Sequence, residues 1–210
     1  MTLLTISTVA DSDDCDALRD GTGFRASVSS TFVACVTNST EALRRDIGLR
    51  YEGVTIAAGD TINSAKITLD VTSEFRDDAS LTVFGVAEDN PAMFSALRTP
   101  TPAHVSSTTA SVAWSESAVG TGDADTPSLV SIIQELIALP GWASGNAMAF
   151  MLRAGSSGSN LDIDTRDFIN GGTTARLVID FTAAAGGDPE GHLIGGKLIR
   201  GGLLRSGVLN

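Results

Sequence analysis

The chain has 210 residues, 42% hydrophobic and 19% charged, which is enough apolar material for one large β domain and too ordered a composition for wholesale disorder. The formal net charge of −11 argues against nucleic acid as a partner, because phosphate binding needs clustered Lys and Arg, and the one short basic patch, Arg44-Arg45, is flanked by Glu41 and Asp46. No apolar run approaches the roughly 18 residues of a membrane helix, so membrane insertion is not expected, and two cysteines with two distant histidines exclude a Cys/His zinc cluster of ordinary spacing.

The N-terminal residues Met1 to Ile6 carry no basic residue before their apolar stretch and no cleavage site, so no Sec signal peptide is read there. The expectation is a protein that is intracellular or exported by assembly or lysis. Cys15 and Cys35 are then expected to be reduced or simply buried, and their spacing does not decide whether they pair.

A short apolar run, Leu3 to Val9, opens the chain, and Asp11-Ser12-Asp13-Asp14-Cys15-Asp16 reads as an acidic turn. Phe24 to Val36, rich in Ser, Thr and Val, predicts one or two strands. Period-two alternation then marks strands with one buried face: Ile47, Leu49 and Tyr51; Val54 and Ile56; Ile67, Leu69 and Val71; and Leu81, Val83 and Phe84 to Val86. Gly59-Asp60 and Asp77-Asp78 are the turns between them. Asp89-Asn90-Pro91 and Thr99-Pro100-Thr101-Pro102 predict a long surface connection, with a strand resuming over Val105 to Trp114.

One helix is expected, with Thr126 as N-cap and Pro127 at the first helical position. Leu129, Ile132, Ile133 and Leu136 fall on one face, and Pro140-Gly141 stops the element. It should cover one open end of a sandwich, with Trp142 plugging the join. Ala147 to Leu152 and Ala175 to Phe181 predict the last strands, separated by a Ser/Gly loop at 155–159.

Beyond Gly186-Gly187-Asp188-Pro189 the pattern changes. Apolar pairs start at Leu193, Leu198, Leu203 and Val208, a repeat of five that matches neither a helix nor a flat strand. A β-helix of pentapeptide type and a looped, extended arm both fit it. Three units and a fragment are too few to bury their own apolar faces, so these side chains need a surface elsewhere. The expected domains are a sandwich over 1–185 and a Leu/Gly repeat tail over 186–210 that makes subunit contacts through Leu193, Ile194, Leu198, Ile199, Leu203, Leu204 and Val208.

The most specific segment is TPSLVSIIQELIALPGWASGNAMAFML, Thr126 to Leu152. It resembles the DNRLRE-like, carbohydrate-binding-module type of β-sandwich, where a Thr-Pro-x-Leu opening, an Ile-x-Gln-Glu helix and Pro-Gly-Trp-x-Ser-Gly-Asn recur together. Val54 to Leu69, Leu81 to Phe94 and Thr109 to Trp114 are similar to its earlier strands, so the likeness covers roughly residues 45–182. The hexapeptide that names the family is absent. The resemblance implies an all-β, jelly-roll-like sandwich with one short helix, as in accessory modules of surface proteins and in tailed-phage virion proteins. The Gly-Gly-Leu-rich C-terminus is similar to the ends of phage structural proteins.

Other motifs carry less. Gly21-Thr22-Gly23-Phe24-Arg25-Ala26 fits a dinucleotide fingerprint, but a strand-like run follows where a helix is required. Asn38-Ser39-Thr40 is a glycosylation sequon read here as a loop. Asp162, Asp164 and Asp167 are candidate Ca²⁺ ligands, as are Asp11, Asp13, Asp14 and Asp16, although Asp residues also simply favour turns. His104 and His192 have no nucleophile or carboxylate pattern around them and read as loop residues. Trp114 and Trp142, with Tyr51, are candidate glycan-stacking residues.

The sequence therefore predicts a non-enzymatic virion protein of a tailed bacteriophage, in a tail fibre, tail tip or capsid decoration. It would be assembled in the host cytoplasm with other virion subunits, as a homo-oligomer with a trimer favoured, and could touch a cell-surface glycan. No cofactor beyond the candidate Ca²⁺ is expected. The rival reading is a monomeric carbohydrate-binding module of a secreted or surface protein.

Overall fold

The fold is described from a computed structural model. Residues 1–9, 13–26, 32–36, 38–71, 79–116, 122–156, 161–164 and 174–184 are described.

Their strands form two antiparallel sheets. The first runs β1 (Thr2–Ser7), β12 (Arg176–Thr182), β6 (Thr61–Val71), β11 (Leu161–Asp164), β4 (Phe32–Cys35), and β9 (Gly122–Asp125) also pairs with β6. The second runs β3 (Arg25–Ala26), β2 (Asp14–Leu18), β5 (Arg45–Tyr51), β10 (Met148–Ala154), β7 (Ala79–Val86), β8 (Ser107–Glu116). A bridge between Val36 and Arg45 ties the β4 edge to β5 across the two sheets.

The alternation explains the core. Ile47, Leu49 and Tyr51 of β5, Leu81 and Val83 of β7, and Phe150 and Leu152 of β10 meet Ile67, Leu69, Leu177 and Ile179 of the other sheet in one buried cluster. Two sheets packed this way make an all-β sandwich. Tyr51 and Phe150 meet edge to face, with ring centroids 6.0 Å apart.

Helix α1 (Val130–Ile137) packs on β6, β7 and β8, so it closes the gap between the two sheets. Ile132, Ile133, Leu136 and Ile137 are its buried face. Glu135 fastens the outer side, accepting the amides of Thr109 (2.8 Å) and Ala110 (2.7 Å) from β8. The helix begins later than its sequence signals suggest. Leu129 is the N-cap and no side chain caps it. Thr126 belongs to the sheet instead: its Oγ1 accepts the Ile67 amide at 3.0 Å, and its own amide donates to Ile67 O at 2.9 Å. The missing ladder bond of a neighbouring strand outcompetes the helix for this hydroxyl. Trp142 closes the corner, donating from Nε1 to Ile56 O at 2.9 Å. Gly141 is required beside it, because a Cβ there would sit 1.6 Å from Asp89 Oδ2.

The Pro-rich stretch between β7 and β8 is more than a surface connection. It lies on the outer face of the second sheet and creates a second core, in which Phe94 and Val105 pack with Cys15, Ala26, Val86, Ala149 and Met151. Gly48, in the middle of β5, makes this possible: a Cβ would lie 2.5 Å from Pro100 Cβ and 2.8 Å from Phe94 Cε2.

Candidate functional site

The acidic run at 13–16 is not a solvated turn. Asp14, Cys15 and Asp16 are residues of β2, and Asp13, Asp14 and Asp16 are all fully buried. Isolated carboxylates would not tolerate that environment, and arginines supply the compensation for Asp13 and Asp16. Asp16 takes Arg25 in a fork, Nε to Oδ1 at 2.9 Å and Nη2 to Oδ2 at 2.6 Å, together with Arg45 and the Ala34 amide. Asp13 accepts from Arg50 Nη1 at 2.9 Å, while Arg50 Nε donates to Pro91 O at 2.8 Å. The Ca²⁺ reading of this run is corrected accordingly, since Asp13 and Asp16 already spend oxygens on guanidinium and backbone donors. Asp11 lies outside the described residues.

A third buried carboxylate, Asp46 of β5, completes the network. Arg19 forks onto it, Nε to Oδ2 at 2.9 Å and Nη2 to Oδ1 at 2.5 Å, and Oδ1 also accepts the Ala154 amide at 3.0 Å. Burial works against the Arg19 charge, but the hydrogen bonds and attraction of Asp46 outweigh it and raise its pKa. These ion pairs, with the amide hydrogen bonds of Ala34 and Ala154, stitch β2, β3, β4, β5 and β10 together across long sequence separations.

Of the other candidate ligands, Asp162 and Asp164 are strand residues of β11, in register with Ala34 and Phe32. Asp167 and His192 lie outside the described residues, as do Leu193, Ile194, Leu198, Ile199, Leu203, Leu204 and Val208. Among the described residues no group of three or more His, Cys, Asp or Glu side chains is arranged to hold a metal. Cys15 and Cys35 are both buried and not joined to each other. Burial, with neighbouring carboxylates acting in the same direction, pushes both thiols well above their ordinary pKa.

The glycan-stacking assignment of Trp114 and Trp142 is also corrected. Their exposures are 2% and 7%, and both belong to the main core with Tyr51, so neither ring offers a face to a sugar. The physical reason is the strand and helix patterning itself: Trp114 continues the inward alternation of β8, and Trp142 fills the corner below α1.

Two described arginines, Arg44 and Arg153, depart from the pattern, and Arg44 donates from Nε to Asn38 O at 2.8 Å instead. Arg19, Arg25, Arg45, Arg50, Arg98 and Arg176 each meet a carboxylate within ion-pair distance. Arg153 of β10 has no such partner among the described residues. Its Nε is buried without a hydrogen bond. The guanidinium lies over the Phe84 ring, 4.3 Å from the centroid. Burial lowers its pKa from the usual value; Asp46 opposes that, and Arg19 adds to it. Register explains the placement: β10 alternates Phe150 and Leu152 inward with Ala149, Met151 and Arg153 outward.

Arg153 lines an open pocket of about 440 Å³ together with His104, Val105, Ser106 and Ser107. His104 is fixed there. Its Nδ1 accepts the Thr99 amide at 3.2 Å and lies 2.8 Å from Thr99 Oγ1. An amide can only donate, so the neutral ring carries its proton on Nε2. The ring also packs on Gly21, where φ is +89° and a Cβ would sit 2.8 Å from Cε1. Neither residue stood out in the sequence as part of a site. Arg153 follows an apolar run and looks like its end, and His104 lies 49 positions away in a Pro-rich loop. The only signal was the continuation of the β10 alternation past Leu152.

No protein-family model matches the chain, and no curated protein matches it significantly.

Proposed function

We propose that this chain is a non-enzymatic structural protein of a tailed-bacteriophage virion, placed in a tail fibre, tail tip or capsid decoration and assembled through residues 193–208. The observation that carries the reading is the five-residue repeat of apolar pairs at Leu193, Leu198, Leu203 and Val208, which is too short to cover itself and so needs a partner surface. A trimer, in which three copies of the repeat bury one another, satisfies that need with a single interface type.

The sandwich suits the part of a rigid scaffold. Asp13, Asp16 and Asp46 are engaged by arginines that lock strands together, an arrangement that holds geometry. Its strand order supports a jelly-roll-like description, since β12, the last strand among the described residues, lies between β1 and β6, and β10 lies between β5 and β7. The chain leaves β12 at a secured point, where the Ala184 amide donates to Asp60 Oδ1 at 2.9 Å. The rival role as a ring-stacking carbohydrate module loses support from the burial of Trp114 and Trp142.

The test is the molar mass in solution of the full chain and of two variants, one lacking residues 186–210 and one carrying Leu198→Ser with Leu203→Ser. The full chain should run as an oligomer, and both variants as monomers with unchanged circular dichroism. A monomeric full chain, or variants that keep the parent oligomer, would overturn the proposal.

A further inference from the structure

We propose that the pocket over Arg153 binds a small oxyanion, a carboxylate or sulfate group carried on a hydroxylated ligand of acidic-sugar type. This inference is independent of the assembly reading, because the pocket is built from β10 and the loop before β8 and uses nothing in the C-terminal repeat.

Charge compensation on the outer face of β10 is incomplete. Asp46 attracts two guanidiniums, Arg19 and Arg153, but only Arg19 stands within ion-pair distance of it. Arg19 occupies both oxygens of Asp46, and the Ala154 amide takes a further share of Oδ1. Arg19 also has Glu41 at 3.7 Å, but that carboxylate is 71% exposed and contributes little through solvent. Arg153 is left with one positive charge in excess, half-buried, with Nε lacking an acceptor. Stacking on Phe84 favours the cation but supplies no acceptor for its N–H groups.

A half-buried guanidinium without a partner is costly, and Asp13, Asp16 and Asp46 avoid that cost by pairing with arginines. An oxyanion entering the pocket would remove it, since the planar fork of arginine matches a carboxylate or sulfate with two parallel hydrogen bonds. The remaining lining suits such a ligand. Ser106 and Ser107 bring hydroxyls, and His104 brings a ring whose Nδ1 is already taken by Thr99, leaving Nε2–H as its donor. No carboxylate is among the lining residues. On a chain of net charge −11 this is a local exception, and a ligand at contact distance feels the nearby arginine more than the screened remainder. The pocket volume of about 440 Å³ accommodates a monosaccharide-sized ligand and falls within the range of small-molecule sites.

The test uses the full chain, titrated calorimetrically at low ionic strength with sodium glucuronate, sodium sulfate and neutral D-glucose. Saturable binding of glucuronate but not glucose supports a carboxylate ligand, and binding of sulfate alone supports the oxyanion site while narrowing its ligand. Arg153→Gln should weaken the binding by roughly tenfold or more through loss of the charge-assisted fork. Arg176→Gln, on the other sheet, should leave it unchanged. Because Arg153→Gln could disturb packing, Ser106→Glu provides a second route: Ser106 is exposed, so the variant should fold. Its new carboxylate should occupy the site, abolish glucuronate and sulfate binding, and raise the melting temperature. The proposal is overturned if neither anion binds, if Arg153→Gln binds as tightly as the parent, or if Ser106→Glu leaves binding intact.

Discussion

The strands β5 and β10 present two faces that are held by different physics. Toward the other sheet they offer Ile47, Leu49, Tyr51, Phe150 and Leu152, all fully buried in one apolar cluster. Toward the outside they offer Asp46, Gly48, Arg50, Ala149, Met151 and Arg153, covered by the loop between β7 and β8 and tied by ion pairs. The inner face is stabilised by area removed from water, which tolerates modest changes of shape if volume is kept. The outer face depends on particular pairings, and a single lost partner leaves a charge stranded. Almost the same residues of chain thus carry a forgiving surface and an exacting one.

Substitutions on the two faces should therefore fail in different ways. The largest effect is expected for Phe150→Ala, which should cost about 3–5 kcal/mol by opening a cavity between the sheets, measured by chemical denaturation; Phe150→Leu should recover most of it. On the outer face Asp46→Ala should cost about 3 kcal/mol, and here the isosteric Asp46→Asn should recover little, because the lost quantity is charge. Equal recovery by the conservative variants at both positions would erase the distinction. Gly48→Ala should cost about 1–3 kcal/mol by forcing Phe94 and Pro100 away from β5, with the Phe94 environment changing in near-ultraviolet or NMR spectra while the inner core remains intact. The smallest effect is expected at the sheet edge: Thr126→Val should cost about 1 kcal/mol and speed hydrogen exchange at the Ile67 amide, whereas Thr126→Ser should restore both. Faster exchange confined to the first turn of α1 would instead favour a capping role.

The inner face was legible in the sequence because alternation is a local property. Ile67, Leu69, Leu81, Val83, Leu177 and Ile179 could be assigned inward from their neighbours alone, and the buried face of α1 followed from Leu129, Ile132, Ile133 and Leu136. The outer face was not, because its determinants lie far apart. The run Asp13 to Asp16 looks like a turn until Arg25, Arg45 and Arg50 are brought to it by the sheet. Thr126 looks like a cap until β6 presents an unpaired amide. Trp114 and Trp142 can be read as display residues or core residues from composition, and only their placement separates the two. The pocket of Arg153 and His104 was the least visible, since it depends on a guanidinium Nε being buried without an acceptor, and that can be read only once the sheets are assembled.

The contrast between Arg19 and Arg153 tests this account most directly. Both feel the field of the same buried carboxylate, Arg19 forked onto it and Arg153 with its Nε unsatisfied. Replacing each with methionine keeps volume and removes charge. Arg19→Met should lower the melting temperature by roughly 6–12 °C, the equivalent of about 3 kcal/mol for a chain of this size. Arg153→Met should leave it unchanged or raise it, because an uncompensated charge is being removed. If Arg153→Met falls as far as Arg19→Met, then Arg153 is a structural member of the ion-pair network, and its description as a guanidinium awaiting a partner is wrong.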